Sequence, residues 1–245
     1  MADQISDLHK CIFIHVPKAG GSSIEQSSIF HDQRNETNEY VGGHKTALEY
    51  KRVYPDKFDK YFKFTLVRNP YSRLVSAYFY LSRGGGRGNS YDTEIFKKHF
   101  EHREKDFVSF CRNSLSEELI EDVVHFQPQY KFLCDDNMNI LVDFIGRQEN
   151  FVKDAQKIFE KIGLPYEHRH SLGSNNKHFS EYYTSDIQEK VFNLYKLDFE
   201  LLGYQSDIRK QSKFLYQCNK QMSKTVALSS RFSKKVKKLL TNHTT

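Results

Sequence analysis

The period of apolar and polar positions changes several times along the chain, and each change predicts an element. Cys11 to Val16 is strand-like, and Lys63-Phe64-Thr65-Leu66-Val67 reads as a second buried strand. Asn69 then offers an N-cap and Pro70 suits a first helical position, with Leu74, Val75, Tyr78 and Leu81 following at helical spacing. The spacing predicts a helix over 70–82. Met138 to Ile145 is another apolar run of strand length, and Phe151 to Ile162 has helical period closed by Gly163 and Pro165. Ser185 and Gln188 resemble a capping box, opening a helix that runs to Leu202 and stops at Gly203. The glycine-rich stretch 84–89 reads as a mobile loop, and no internal repeat is visible. Strands alternating with helices predict an α/β class, a P-loop-like three-layer fold with a central parallel sheet flanked by helices.

Charge changes this picture in one place. Residues 205–245 hold ten Lys/Arg against one acid, Asp207, so the net +6 of the chain leaves residues 1–204 mildly acidic. Two parts are expected: a domain over 1–204 and a basic extension over 205–245. Any anion site in the body must be local, and no field for nucleic acid is indicated there. In the extension, Leu228, Phe232, Val236, Leu239 and Leu240 fall near one helical face with lysines beside them. That suits weak contact with a membrane surface, although a solvated basic tail is the favoured reading. The start of the chain is polar and no apolar run approaches the ~18 residues of a membrane span, so a cytoplasmic protein is expected. Cys11, Cys111, Cys134 and Cys218 are far apart without a CxxC pair, which argues for reduced thiols and against a zinc site.

Candidate chemistry sits at two strand ends. After the first strand, Pro17–Ser23 supplies backbone N–H groups, two glycines, the charge of Lys18 and the hydroxyls of Ser22 and Ser23. That set suits a phosphate or sulfate at a helix N-terminus. The nucleotide motif GxxxxGK[ST] is absent, because Lys18 precedes the glycines. Taken alone, the stretch also reads as a tight turn without a ligand. "VRNPYSRLVSAY" (67–78) repeats the strand–turn–helix theme with Arg68 at the strand end, able to fork onto a phosphate, and with Ser76 two helical turns on. Arg68 and Arg73 would equally serve ordinary surface ion pairs.

The two motifs in this order resemble the carbohydrate-type sulfotransferases, related to the cytosolic and Golgi enzymes, whose members read H-x-P-K-x-G-[GT]-[ST]-S and R-[DN]-P-x-x-R-x-x-S-x-Y. "HFQPQYKFL" (125–133), "DFIGRQENF" (143–151) and residues 176–204 continue the likeness. The resemblance implies 3′-phosphoadenosine-5′-phosphosulfate as sulfuryl donor, a hydroxyl-bearing acceptor such as a glycan, and no metal. It assigns the 5′-phosphosulfate to Lys18, Ala19, Gly20, Gly21, Ser22 and Ser23, and the 3′-phosphate to Arg68 and Ser76. Arg147 would be a further donor contact, or equally the structural partner of Glu149, and Gln148 stands where relatives carry an aromatic residue. Lys18 would meet charge on the leaving oxygen. His44, in "VGGHK", matches a G-H element whose histidine is the general base, with His125 second and His15 orienting the turn. Without the membrane anchor of Golgi relatives, a free-standing bacterial-type enzyme is expected. A kinase-like ATP enzyme and a non-catalytic nucleotide- or glycan-binding member are the rival readings.

Overall fold

The computed structural model describes residues 2–31, 42–86, 88–102, 106–166 and 177–208. In chain order they form β1 (Ile5–Ser6), β2 (Cys11–Ile14), α1 (Ser22–Glu25), α2 (Ala47–Val53), α3 (Pro55–Lys60), β3 (Phe62–Val67), α4 (Pro70–Leu81) and α5 (Ser90–His99). Short helical turns at Phe107–Ser109 and Phe110–Ser114 precede α6 (Glu117–Asp122), α7 (Tyr130–Leu133), β4 (Phe144–Arg147), α8 (Phe151–Ile162), α9 (Ser185–Leu194) and α10 (Lys196–Leu201). The sheet order is β1-β2-β3-β4, with β2, β3 and β4 parallel and β1 an antiparallel edge.

The sheet forms because β2 and the second half of β3 are apolar at nearly every position, as strands covered on both faces must be. Phe13 pairs with Phe64 across β2 and β3, and Thr65, the one hydroxyl there, donates to the Ile14 carbonyl at 2.7 Å. Helices flank the sheet, so this is the expected α/β layered architecture. Around the sheet, Ile24, Phe30, Tyr50, Leu133 and Ile158 complete one core. A second, aromatic core under α4 joins Tyr71, Tyr78, Phe110, Phe126 and Phe199. Among the described residues no helix is long and apolar enough to cross a membrane.

Three expectations need correction. The strand read from Met138 begins only at Phe144. The Asp135 carboxylate accepts the N–H groups of Asn137 (3.0 Å) and Asn139 (2.8 Å), and Met138 adopts a φ of 64°, so the run opens as a turn. The capping box at Ser185 is also absent. Thr184 is the N-cap, its hydroxyl donates to Asp186, and Gln188 donates instead to the Ser206 carbonyl at 3.3 Å. That helix breaks at Tyr195, whose buried hydroxyl donates to the Phe126 carbonyl at 2.7 Å, and resumes as α10. The glycine-rich stretch is anchored where it is described, since the Gly86 N–H donates to Asp92 at 2.9 Å. The basic extension beyond Ile208 lies outside the described residues.

Candidate active site

The parallel strands deliver their carboxyl ends side by side, which is where ligands gather in such sheets. From β2 the chain enters the Pro17–Ser23 turn. Lys18 takes a φ of 65°, unusual for a residue with a Cβ, and Gly20 takes 92°, which suits glycine. The N–H groups of Gly20, Gly21 and Ser22 find no acceptor among the described residues, whereas those of Ser23, Ile24 and Glu25 bond back to Gly20 and Gly21. Successive undirected N–H groups of this kind make an anion-binding concavity. The helix that follows is a single turn, so these donors, more than a macrodipole, give the turn its positive character. Ser22 is exposed, while Ser23 and Ala19 are buried. Gly21 has a packing reason as well: a Cβ there would come within 2.2 Å of the His15 ring.

From β3 the chain passes Arg68 into α4. Asn69 caps the helix by accepting the Ser72 N–H at 3.2 Å, and Pro70 follows at its first position. The Arg68 guanidinium donates to Ser72 Oγ at 2.8 Å and to the Lys18 carbonyl at 3.3 Å. Two motifs fifty residues apart thus meet through one side chain. Gln129 fixes the backbone of Arg68, accepting its N–H (2.9 Å) and donating to its carbonyl (2.7 Å). Burial and the neighbouring Arg68 charge depress Lys18 to about 8, against a smaller opposing pull from Asp92. Its ammonium lies over the Tyr80 ring, 3.5 Å from the centroid.

Arg73 does not make a surface pair. It is buried at 2% exposure and donates to the carbonyls of Pro17 (3.5 Å), His125 (3.3 Å), Phe126 (3.3 Å) and Gln127 (2.5 Å). The fully buried Asp198 accepts the N–H groups of Gln129 and Tyr130, each at 2.9 Å. Together they pin the 125–130 segment beside the opening turn.

Three histidines line that junction. His15 Nδ1 donates to the Glu25 carboxylate at 2.8 Å, and Gln4 donates to the same oxygen at 3.0 Å. His44 Nδ1 bonds the His15 carbonyl at 3.1 Å. A carbonyl only accepts, so Nδ1 carries the proton and Nε2 keeps its lone pair, the tautomer a base needs. The His15 and His44 ring centroids are 4.6 Å apart, and His44 and His125 are 5.8 Å apart. Burial, with added repulsion from His15, His125 and Lys18, lowers His44 to about 3. His125 falls to about 4, mainly by burial, against the pull of Asp92. Its Nε2 stands 3.8 Å from Asp92 Oδ1.

Lys18, Ala19, Gly20, Gly21, Ser22, Ser23, Arg68 and His44 therefore converge on one strand-end junction. Ser76 lies one helical turn beyond Ser72 on the same face of α4. Arg147 is employed elsewhere: it donates to the Leu202 carbonyl at 2.5 Å and stacks on the Tyr204 ring at 4.4 Å. Glu149 accepts the Asn69 N–H at 2.7 Å and the Tyr204 hydroxyl at 3.1 Å, so the two side chains hold Tyr204 from either side rather than each other. Sequence reasoning missed Ser72, Tyr80, Asp92 and Glu25. The first two carried a signal, since Ser72, Ser76 and Tyr80 recur every four residues along one helix. Among the described residues no group of His, Cys, Asp and Glu is arranged to hold a metal ion.

A sulfotransferase family model matches residues 4–205. The chain belongs to the sulfotransferase family. Relatives of this sulfotransferase include carbohydrate sulfotransferase 14 of Danio rerio, 27% identical over 228 residues, covering 82% of this chain and 61% of that protein. Human carbohydrate sulfotransferase 9 is 24% identical over 243 residues, covering 82% of this chain and 52% of its own length. An uncharacterized protein of Archaeoglobus fulgidus is 35% identical over 116 residues, 47% of this chain and 79% of that protein. The chain thus spans between half and two thirds of the length of the carbohydrate sulfotransferases it matches.

Proposed function

We propose that the chain transfers a sulfuryl group from 3′-phosphoadenosine-5′-phosphosulfate to a hydroxyl of a carbohydrate acceptor. The observation that carries this reading is the junction of Lys18 with Arg68. Two cations are brought together at adjacent strand ends, beside three N–H groups without acceptors among the described residues, and an anion there would relieve the repulsion between them. A donor that carries both a phosphosulfate and a phosphate offers this pair of cations more negative charge than a single phosphate does. ATP is a poorer match, because Lys18 precedes the glycines and the second cation comes from the next strand.

The donor supplies a sulfuryl group on a phosphate leaving group. The Gly20–Ser22 N–H groups, Lys18 and Ser23 hold the 5′ end, and Arg68 with Ser72 and Ser76 holds the 3′-phosphate. As the acceptor oxygen bonds sulfur, His44 Nε2 takes its proton. Lys18 meets the negative charge that appears on the leaving oxygen as the sulfur–oxygen bond breaks, which stabilises the transition state more than the ground state. His44 at about 3 is a weak base in the empty site. An anion beside Lys18 would offset the smaller, cationic part of that depression and shift His44 upward, while the larger part, burial, stays. Arg147 acts at one remove, by holding Tyr204 against the strand end.

The reading is tested by thermal melting with adenosine 3′,5′-bisphosphate against ATP with Mg²⁺, followed by labelled-sulfate transfer to a glycan panel. The bisphosphate is expected to raise the melting temperature and ATP to do so much less. Stabilisation by ATP alone would replace the sulfuryl reading with a kinase-like one. Binding of the bisphosphate without transfer to any glycan would leave a nucleotide-binding protein or another acceptor class.

A further inference from the structure

The α4 face that carries Ser72 and Ser76 ends, one turn later, on Tyr80, which belongs to neither motif. The Lys18 ammonium rests 3.5 Å from the centre of its ring. The ring is itself clamped. Its hydroxyl donates to Asp92 Oδ2 at 2.6 Å, and the His125 ring lies against it at 5.2 Å between centroids. Asp92 is fully buried, accepts the Gly86 N–H at 2.9 Å, and receives the Gly85–Gly86 turn so closely that a Cβ on Gly85 would stand 2.3 Å from its own Cβ. The chain Gly86–Asp92–Tyr80 is therefore rigid at each link. Lys18 is the opposite, a long flexible side chain on a backbone at a φ of 65°, and among the described residues no carboxylate pairs with it.

We propose that Tyr80 is the positioning residue for Lys18, its ring face holding the ammonium at the strand end between reaction cycles and setting the direction from which it meets an incoming anion. A ring face suits this task better than a carboxylate. A paired carboxylate would neutralise Lys18 and compete with an anionic ligand for it. The negative face of a ring attracts the cation but leaves its full charge available. The buried Asp92 carboxylate bonds the ring's hydroxyl at its edge, and its charge favours the Lys18 cation without an ion pair. Holding a lysine in one place also removes rotamer freedom that would otherwise be lost when the ligand binds. This inference rests on the reading of the strand end as an anionic-donor site.

The test compares wild type, Tyr80→Phe and Tyr80→Leu as full-length chains, with no nucleotide present. Lys18 is acylated with an N-hydroxysuccinimidyl ester and its rate followed by peptide mass mapping. The Tyr80→Phe rate is expected within about twofold of wild type and the Tyr80→Leu rate about fivefold or more above it, because only the second removes the ring. In sulfate transfer, Tyr80→Leu is expected to lower kcat about tenfold with the donor KM changed less than about threefold, and Tyr80→Phe to retain most of the activity. Equal acylation of Lys18 in wild type and Tyr80→Leu would overturn the proposal, and so would equal losses in Phe and Leu variants, which would make the hydroxyl the holder. Should Tyr80→Leu not fold, Tyr80→Met, of similar volume and without a ring, takes its place. The acylation readout needs no donor. A wild type that fails to bind the bisphosphate would sink the donor reading and leave the Tyr80–Lys18 result standing on its own.

Discussion

The two strand–turn–helix units at the centre of this protein use the same architecture for opposite ends. After β2, the turn leaves three N–H groups without acceptors among the described residues, puts Lys18 and Gly20 at positive φ, and starts a helix of one turn. After β3, three of the corresponding donors are matched: Arg68 N–H to Gln129, Asn69 N–H to Glu149, Ser72 N–H to Asn69, and the helix runs for twelve residues. The first unit presents its backbone. The second bonds most of its backbone and presents side chains, Arg68 to Ser72 and the Lys18 carbonyl and Arg73 into a cage of carbonyls. The anion site proposed here would have one wall of backbone donors and one of side chains, joined by the bond from Arg68 to the Lys18 carbonyl.

That contrast can be broken at several points. The largest effect is expected from Lys18→Ala, which should lower sulfate transfer on the order of 10³-fold, as loss of a group meeting transition-state charge does. Rates with labelled donor check it; a change confined to KM would return Lys18 to a binding role. Arg68→Ala should cost about 2–4 kcal/mol of bisphosphate affinity in calorimetry, since it removes a charge-assisted fork. Unchanged affinity there would falsify the 3′-phosphate assignment. His44→Ala should slow turnover on the order of 10²-fold while the bisphosphate binds as before.

Two smaller changes sharpen the comparison directly. Gly20→Ala forces a side chain to a φ of 92° and is expected to cost about 1–3 kcal/mol, with nucleotide affinity falling alongside. Asn69→Ala removes a cap on the satisfied side and should cost about 1 kcal/mol in melting with affinity nearly intact. If both variants lose affinity equally, the two walls are not distinct. The mildest effect concerns pH. His44 and His125 are held from 6.5 down to about 3 and about 4, so between those values and 6.5 the unfolded chain binds more protons than the folded one. Stability therefore rises with pH through that window and is lost as pH falls. Melting of His44→Asn between pH 4 and 7 should show a shallower slope than wild type.

Local pattern made much of this legible. Phe62–Val67, Pro70–Leu81 and Phe151–Ile162 follow from apolar period, an N-cap with proline, and a closing glycine, all of which act over a few residues. The two basic strand ends were legible for the same reason: their residue types have a chemical meaning at short spacing. The start of β4 was not, because one carboxylate, Asp135, captured two backbone N–H groups and turned an apolar run that periodicity alone reads as extended. Nor was the break at Tyr195, where the hydroxyl bonds the Phe126 carbonyl sixty-nine residues away in sequence.

The sequence by itself determined the layered α/β class, the two basic strand ends and the place of the candidate base, since each is written in contiguous residues. Only the tertiary structure decided which partners those groups meet. Arg73 is a buried strut, Arg147 a support for Tyr204, and Tyr80 the ring beneath Lys18. These roles depend on burial and on contacts between distant segments, and those exist only once the parallel strands have brought their carboxyl ends together.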